Sequence, residues 1–376
     1  MKKLYLGLFI LLLVALLFFK SDLYGIAAGA IDKYEFNNSK SSQNKSDGDK
    51  KSPSFSKAYK SIDVSRLIRV NTSGYNNLRS KAINIIFGTN QLPKQLPDSL
   101  YETIDTAWVG TKRLKRIEKF VVAQKYNINS EGYIFHPKEP NNEMVLFHEG
   151  HGADFTHDKA AIKEWIKNGY TVYAMCMPLQ GRNLPPAPIR IPNMGMLNLG
   201  KSHDNLKFLD HPLQYFINPV IVALNHASKQ KFKNIYMCGF SGGGWTTTIC
   251  AGIDTRIKYS FPVAGSMPLY IRFTEPAKSL GDFEQMYPKL YSEVNYLDFY
   301  VLGSIGKNRK QVQILNQSDP CCFMGEKASH YEPFVKEAVS KFDDGEYKLV
   351  VDTSLKKHIL SSYSIGVILK EMKINQ

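Results

Sequence analysis

Cysteine is scarce and unpatterned in this chain. Cys176, Cys238, Cys250, Cys321 and Cys322 are the only five among 376 residues, an odd number with neither the spacing of a disulfide scaffold nor that of a zinc site. Cys176 and Cys238 fall inside apolar strand patterns, where a thiol behaves as a small hydrophobe. Whether the adjacent Cys321 and Cys322 bond to each other or pack side by side stays open on sequence alone. Recognised nucleic-acid motifs are missing too, so the net charge of +14, spread over scattered lysines, points to no nucleic-acid partner. At 43% hydrophobic and 22% charged residues, the composition excludes wholesale disorder.

Long apolar runs are equally rare, and the one that matters is at the start. Lys2 and Lys3 precede an unbroken run from Leu4 to Phe19, the charged head and apolar body of an export signal or membrane anchor. The run is longer than an ordinary signal core and shorter than a comfortable spanning helix, although Lys20 could snorkel. Ala28-Gly29-Ala30 resembles a cleavage site but lies well beyond the run. Residues 1–31 are therefore read as a retained anchor, with a cleaved, secreted form as the alternative. No cysteine follows that would carry a lipid. Positive charge flanks both ends, so placing the rest of the chain outside the cytoplasm is a default. Residues 32–60, rich in Ser, Asn, Lys and Asp, read as a polar tether. Residues 61–111 carry a helical pattern at Leu78–Phe87 and a proline-rich turn at Leu92–Pro97, and no function follows from them.

From Lys112 to the C-terminus, β-rich runs alternate with amphipathic helices, which predicts an α/β fold with a doubly wound, mainly parallel sheet. The expected strands include Glu143–Phe147, Tyr170–Met177, Asn234–Phe240, Tyr259–Val263, Gln311–Asn316 and Tyr347–Asp352. Expected helices cover Asp158–Asn168, Phe216–Ser228, Trp245–Ile253, Tyr331–Phe342 and Ile359–Met372.

Within this order stands Gly239-Phe240-Ser241-Gly242-Gly243, a G-x-S-x-G elbow between a strand and a helix. The turn leaves no room for side chains at Gly239 and Gly243, and its strain lifts the Ser241 hydroxyl clear of the sheet. The Gly242 N–H, at a helix N-terminus, suits an oxyanion. A serine needs a histidine to take its proton and a carboxylate to hold that histidine. In chain order the candidates are Asp319, directly after the strand Val312–Leu315, and His358, after the strand Leu349–Val351; Asp352 is the reserve acid and His330 the reserve base. His148-Glu149-Gly150-His151-Gly152 closes an earlier strand, where the backbone N–H of His151 would be the second oxyanion donor. Glu149 departs from the common pattern at this turn.

His148, His151, Asp154 and His157 also cluster here, but their histidines are three apart at a strand exit, and not four apart on a helix as a helical zinc site requires. No metal and no cofactor are assigned.

The elbow, the Glu149–Gly152 turn, Asp319-Pro320 and His358 together resemble the α/β-hydrolase superfamily, from about Arg116 to the C-terminus. The resemblance implies ester hydrolysis through an acyl-enzyme and looks most like esterases of small or carbohydrate-linked acyl groups. It also makes residues 269–310, rich in Tyr and Phe, an insertion that could cap Ser241, with most of those rings serving as the cap's own core, and makes the loop from Pro178 to Pro212, with Arg182 and Arg190, a further wall. The alternative from another class is a catalytically idle hydrolase fold serving as a binding or envelope scaffold.

Overall fold

Nine strands pair in the order β1-β2-β3-β5-β4-β8-β9-β10-β11 to form the central sheet of the computed structural model, which describes residues 59–274 and 281–373, all within the unit Phe55–Gln376. The opening edge is antiparallel: β1 (Ser99–Thr103), β2 (Leu114–Val122) and β3 (Ser130–Pro137), with β3 running against β5 (Thr171–Met175). All later pairs are parallel, through β4 (Met144–His148), β8 (Ile235–Phe240), β9 (Tyr259–Val263), β10 (Lys310–Asn316) and β11 (Glu346–Asp352). The sheet is thus mostly parallel, with helices packed against it. A separate hairpin of β6 (Ile189–Ile191) and β7 (Gly195–Leu197) lies in the proline-rich loop. The central strands β4, β5, β8 and β9 are buried along their whole length. That explains their continuous apolar runs, since a strand covered on both faces has no solvent side to alternate with.

The helices follow the expected periodicity to within a few residues at their ends. Lys159–Lys167 buries Ala161, Ile162, Trp165 and Ile166 on one face. Gln214–Lys229 and Glu332–Ser340 occupy the expected stretches. The last helix, Ser362–Lys373, starts later than expected, after Ser361, whose hydroxyl accepts the Ser364 N–H at 3.0 Å and donates to Asp352.

Two expectations change. The segment 61–111 is integral to the sheet unit: it supplies β1, and its helix Tyr75–Phe87 buries Ala82, Ile83, Ile85 and Ile86. The insertion is also less of a cap than expected. Its longest helix, Tyr296–Ser304, is buried throughout, with the Phe299 ring against Gly252 of the helix that follows β8. Tyr291, Tyr296, Phe299 and Tyr300 join the main hydrophobic core and do not form a core of the insertion's own, while Phe273 is exposed. The expected anchor at 1–31 and nearly all of the tether at 32–60 lie outside the described residues. Among the described residues no helix is long and apolar enough to cross a membrane.

One buried carboxylate joins the N-terminal segment to the insertion. Asp298, fully buried, accepts from the backbone N–H of Arg69 at 2.7 Å, of Val70 at 3.3 Å and of Asn295 at 3.0 Å. Asp298→Ala removes the acceptor of all three donors and strands the buried Val70 N–H. Unfolding in denaturant is expected to show a loss of about 3 kcal/mol; a change below about 1 kcal/mol would mean that the segment is held by its apolar contacts alone.

Candidate functional site

Register places the site. His148 at the end of β4 pairs with Gly239 of β8, so the Glu149 turn and the elbow leave the sheet side by side at its carboxyl edge, where ligands bind in open α/β sheets. The approach is tight. A Cβ at Gly243 would stand 1.9 Å from the His148 carbonyl oxygen, and one at Gly239 would stand 2.1 Å from the Gly243 carbonyl oxygen. Neither position tolerates a side chain without backbone movement. Ser241 takes φ 53° and ψ −118° as the N-cap of helix Gly242–Ile253, a strained conformation that a non-glycine residue holds only when its surroundings enforce it.

Asp319 and His358 arrive at the same edge on the loops after β10 and β11. His358 Nε2 lies 2.9 Å from Ser241 Oγ and His358 Nδ1 lies 2.7 Å from Asp319 Oδ2. Because a carboxylate only accepts, Nδ1 carries the proton and Nε2 is left to accept from the serine hydroxyl. Asp319 is buried, and its other oxygen accepts the backbone N–H of Cys321 at 2.7 Å and of Cys322 at 3.3 Å. Those two cysteines are disulfide-bonded to each other in the structure. Cys176, Cys238 and Cys250 are buried free thiols.

The reserve residues are engaged elsewhere. Asp352 accepts from Ser354, Ser361 and Ser364. His330 pairs with the Tyr270 hydroxyl at 3.1 Å and meets the Tyr59 ring edge-on. Of the four residues in the His148–His157 stretch, His148 is buried and donates from Nδ1 to the Glu149 carbonyl; burial drops its pKa to about 4. Asp154 accepts from Thr156, and His157 lies at the surface beside Asp158. His157 has Glu149 and Asp158 for neighbours, both local to this stretch, whereas His151 turns toward His203, Asp282 and Glu284 from distant parts of the chain. Arg182 is ion-paired to Asp105 at 2.8 Å, which makes it a structural cation in the loop wall.

The Glu149–Gly152 turn packs directly against the elbow. A side chain at Gly150 would meet Ser241 Cβ at 2.9 Å, and the His151 ring fills the space beside Gly242. The Gly152 N–H donates to Gln180 Oε1 at 2.6 Å, fixing the far end of the turn. Helix-initial N–H groups have no partner within the helix, which leaves that of Gly242 available.

Some contributors escape sequence reasoning. Asn316, the last residue of β10, donates through Nδ2 to the carbonyls of Lys357 at 2.9 Å and Ile359 at 3.1 Å, bracketing His358. An asparagine at a strand end also suits any turn, so only the fold reveals its task. Glu149, whose side chain looked anomalous, is buried: desolvation and the neighbouring Asp158 carboxylate lift its pKa to about 9. Burial raises the Asp158 carboxyl above its usual range as well, and neither Glu149 Oε2 nor Asp158 Oδ2 has a hydrogen-bond partner.

Solved structures share this architecture. An acetyl xylan esterase from Paenibacillus sp. R4 superposes with a TM-score of 0.54 at 16% identity, over 83% of this chain and 98% of that one. Methylesterase BT1017 gives a TM-score of 0.54 at 12% identity, over 81% of this chain and 65% of that one. Neither a protein-family model nor a curated protein sequence matches the chain. The likeness is one of fold, and the fold is that of the α/β-hydrolases.

The Glu149–Asp158 pair makes a pH-dependent contribution. With a folded pKa near 9 against an ordinary 4.5, the native state holds a proton that the unfolded chain releases earlier. Its stabilisation is complete below the ordinary carboxyl range and disappears as pH rises toward 9. Thermal unfolding across that range is expected to show a shallower decline for Glu149→Gln, which keeps the Gly150 contact without a titrating proton. An unchanged slope would place the proton elsewhere.

Proposed function

We propose that the protein is a serine hydrolase that cleaves carboxylic esters through an acyl-enzyme. Ser241 attacks the carbonyl, His358 takes the hydroxyl proton at Nε2, and Asp319 holds the imidazole in the required tautomer and stabilises the imidazolium that forms. The tetrahedral oxyanion is held by the N–H groups of Gly242 and His151, each such bond lowering the barrier by roughly 3 to 4 kcal/mol. Collapse of the intermediate expels the alcohol, which leaves with the proton from His358. Water then enters, gives its proton to the same nitrogen and releases the acid. The continuous Ser241–His358–Asp319 hydrogen-bond chain, at 2.9 and 2.7 Å, is the observation that carries this reading.

The substrate class follows by analogy. The two structures above are named for acetyl xylan and methyl ester hydrolysis, which favours a small-molecule or glycan-linked acyl ester. The apolar run Leu4–Phe19 is proposed to tether the catalytic domain to a membrane, on sequence grounds alone. Recovery from the soluble fraction of a chain shortened at its N-terminus by about 30 residues would favour the cleaved, secreted form.

Turnover of p-nitrophenyl acetate tests the central assignment. Ser241→Ala and His358→Ala are each expected to lower kcat by about 10⁴-fold or more, and the double variant to fall hardly further, because the residues act as one unit. Asn316→Ala is expected to lower kcat by about tenfold or more with little change in KM, through loss of the His358 bracket. Absence of turnover in the wild type, across acyl esters of varied length and sugar content, would favour the scaffold reading.

A further inference from the structure

Beside the oxyanion turn, four side chains from three distant segments point at one another. His151 Nε2 lies 2.8 Å from Glu284 Oε1 and 3.0 Å from Asp282 Oδ2, while His203 Nδ1 lies 3.5 Å from Asp282 Oδ2 and 3.6 Å from Glu284 Oε1. The side chains of His203 and Glu284 are fully buried. His203 Nδ1 and Glu284 Oε2 make no hydrogen bond, although both are cut off from water, where an unmet polar atom is costly.

His203 gives the clearest pointer. Its Nε2–H donates to the Pro178 carbonyl at 2.8 Å, which fixes the tautomer and presents the Nδ1 lone pair to the two carboxylates. A histidine held by a backbone carbonyl on one nitrogen and aimed by the other is how proteins prepare an imidazole for a metal. His203 Nδ1 therefore meets the two carboxylates with no donor between them, while His151 Nε2 donates to Glu284 Oε1 at 2.8 Å and would give up that proton to bind a metal.

Spacing and charge agree. In a tetrahedral zinc site with bonds of about 2.0 to 2.1 Å, neighbouring ligand atoms stand about 3.3 Å apart. The His203 separations are close to that value, and the His151 separations need to open by only a few tenths of an ångström. Neutral imidazoles and two carboxylates carry a formal charge of −2, which one divalent cation neutralises. Asp282 is 47% exposed, giving an ion a route in from solvent.

We infer that His151, His203, Asp282 and Glu284 form a structural zinc site that clamps the oxyanion turn to the proline-rich loop and to the insertion. All four positions are taken by protein ligands, the pattern of a structural site; a catalytic one keeps a position open. The clamp would hold the His151 peptide against Gly242, steadying the oxyanion pocket without joining the chemistry. The competing arrangement is metal-free, with both imidazoles protonated against the two acids. The inference rests on no catalytic assignment and is read without substrate.

Cobalt(II) reports the coordination directly. Full-length protein stripped with a chelator is titrated with Co²⁺ and then with Zn²⁺. The expected result is one equivalent of Co²⁺ with intense visible bands of tetrahedral coordination, displaced by one equivalent of Zn²⁺. Zinc is also expected to raise the unfolding temperature by roughly 3 °C or more at a hundredfold excess over Kd. Asp282→Asn, at a half-exposed position that tolerates change, is expected to weaken cobalt binding at least about tenfold, and His203→Asn to abolish the bands. Octahedral or absent bands, or bands unchanged in both variants, would overturn the site. Esterase activity has no part in this readout, so a failed hydrolase assignment and a failed metal site are told apart.

Discussion

The parallel pairing of β4 with β8 is the constraint from which the rest of the site follows. It brings the His148 carbonyl so close to the first turn of helix Gly242–Ile253 that only glycine fits at 243. With that crossing fixed, the chain can leave β8 only through a sharp turn, and Ser241 is forced to positive φ with its hydroxyl at the sheet edge. The same pairing delivers the Glu149 turn to the neighbouring position. Backbone geometry, set before any side-chain chemistry, thus decides where Ser241 and the Glu149–Gly152 turn stand.

Around this crossing polar contacts hold loops that the sheet alone would leave free. Asn316 brackets the His358 loop, the backbone at Cys321 and Cys322 steadies Asp319, and Gln180 fixes the end of the oxyanion turn. Farther out, Asp298 staples residues 69 and 70 to the insertion. Buried polar groups of this kind lose heavily if a partner is removed and add modest stability when satisfied. Their placement at loop junctions favours a role in fixing geometry.

Residues whose task is set by local chain chemistry were legible in the sequence. The elbow announces itself through glycine spacing, and the buried strands through unbroken apolar runs such as Met144–Phe147. The order of Asp319 and His358 after their strands was readable because chain order and strand ends are linear properties. Tertiary convergence was not. His203, Asp282 and Glu284 stand far apart along the chain, and nothing in their neighbours marks them; they acquire meaning only when the insertion and the proline-rich loop meet beside His151. β1 was missed because Ser99–Thr103 is an edge strand with little burial, so it lacks the apolar signal that betrays a central one. The helix Tyr296–Ser304 was taken for part of a cap because its aromatic content says that it is buried without saying against what.

The most direct test of the account is chemical trapping of the intermediate. Full-length protein is mixed with a p-nitrophenyl ester, quenched in acid during the pre-steady-state burst and digested, and the acylated peptide is sequenced by mass spectrometry. The account predicts one acyl group per active molecule, on Ser241. Ester hydrolysis that proceeds with no acyl group at that residue, or with the acyl group on another side chain, would contradict it.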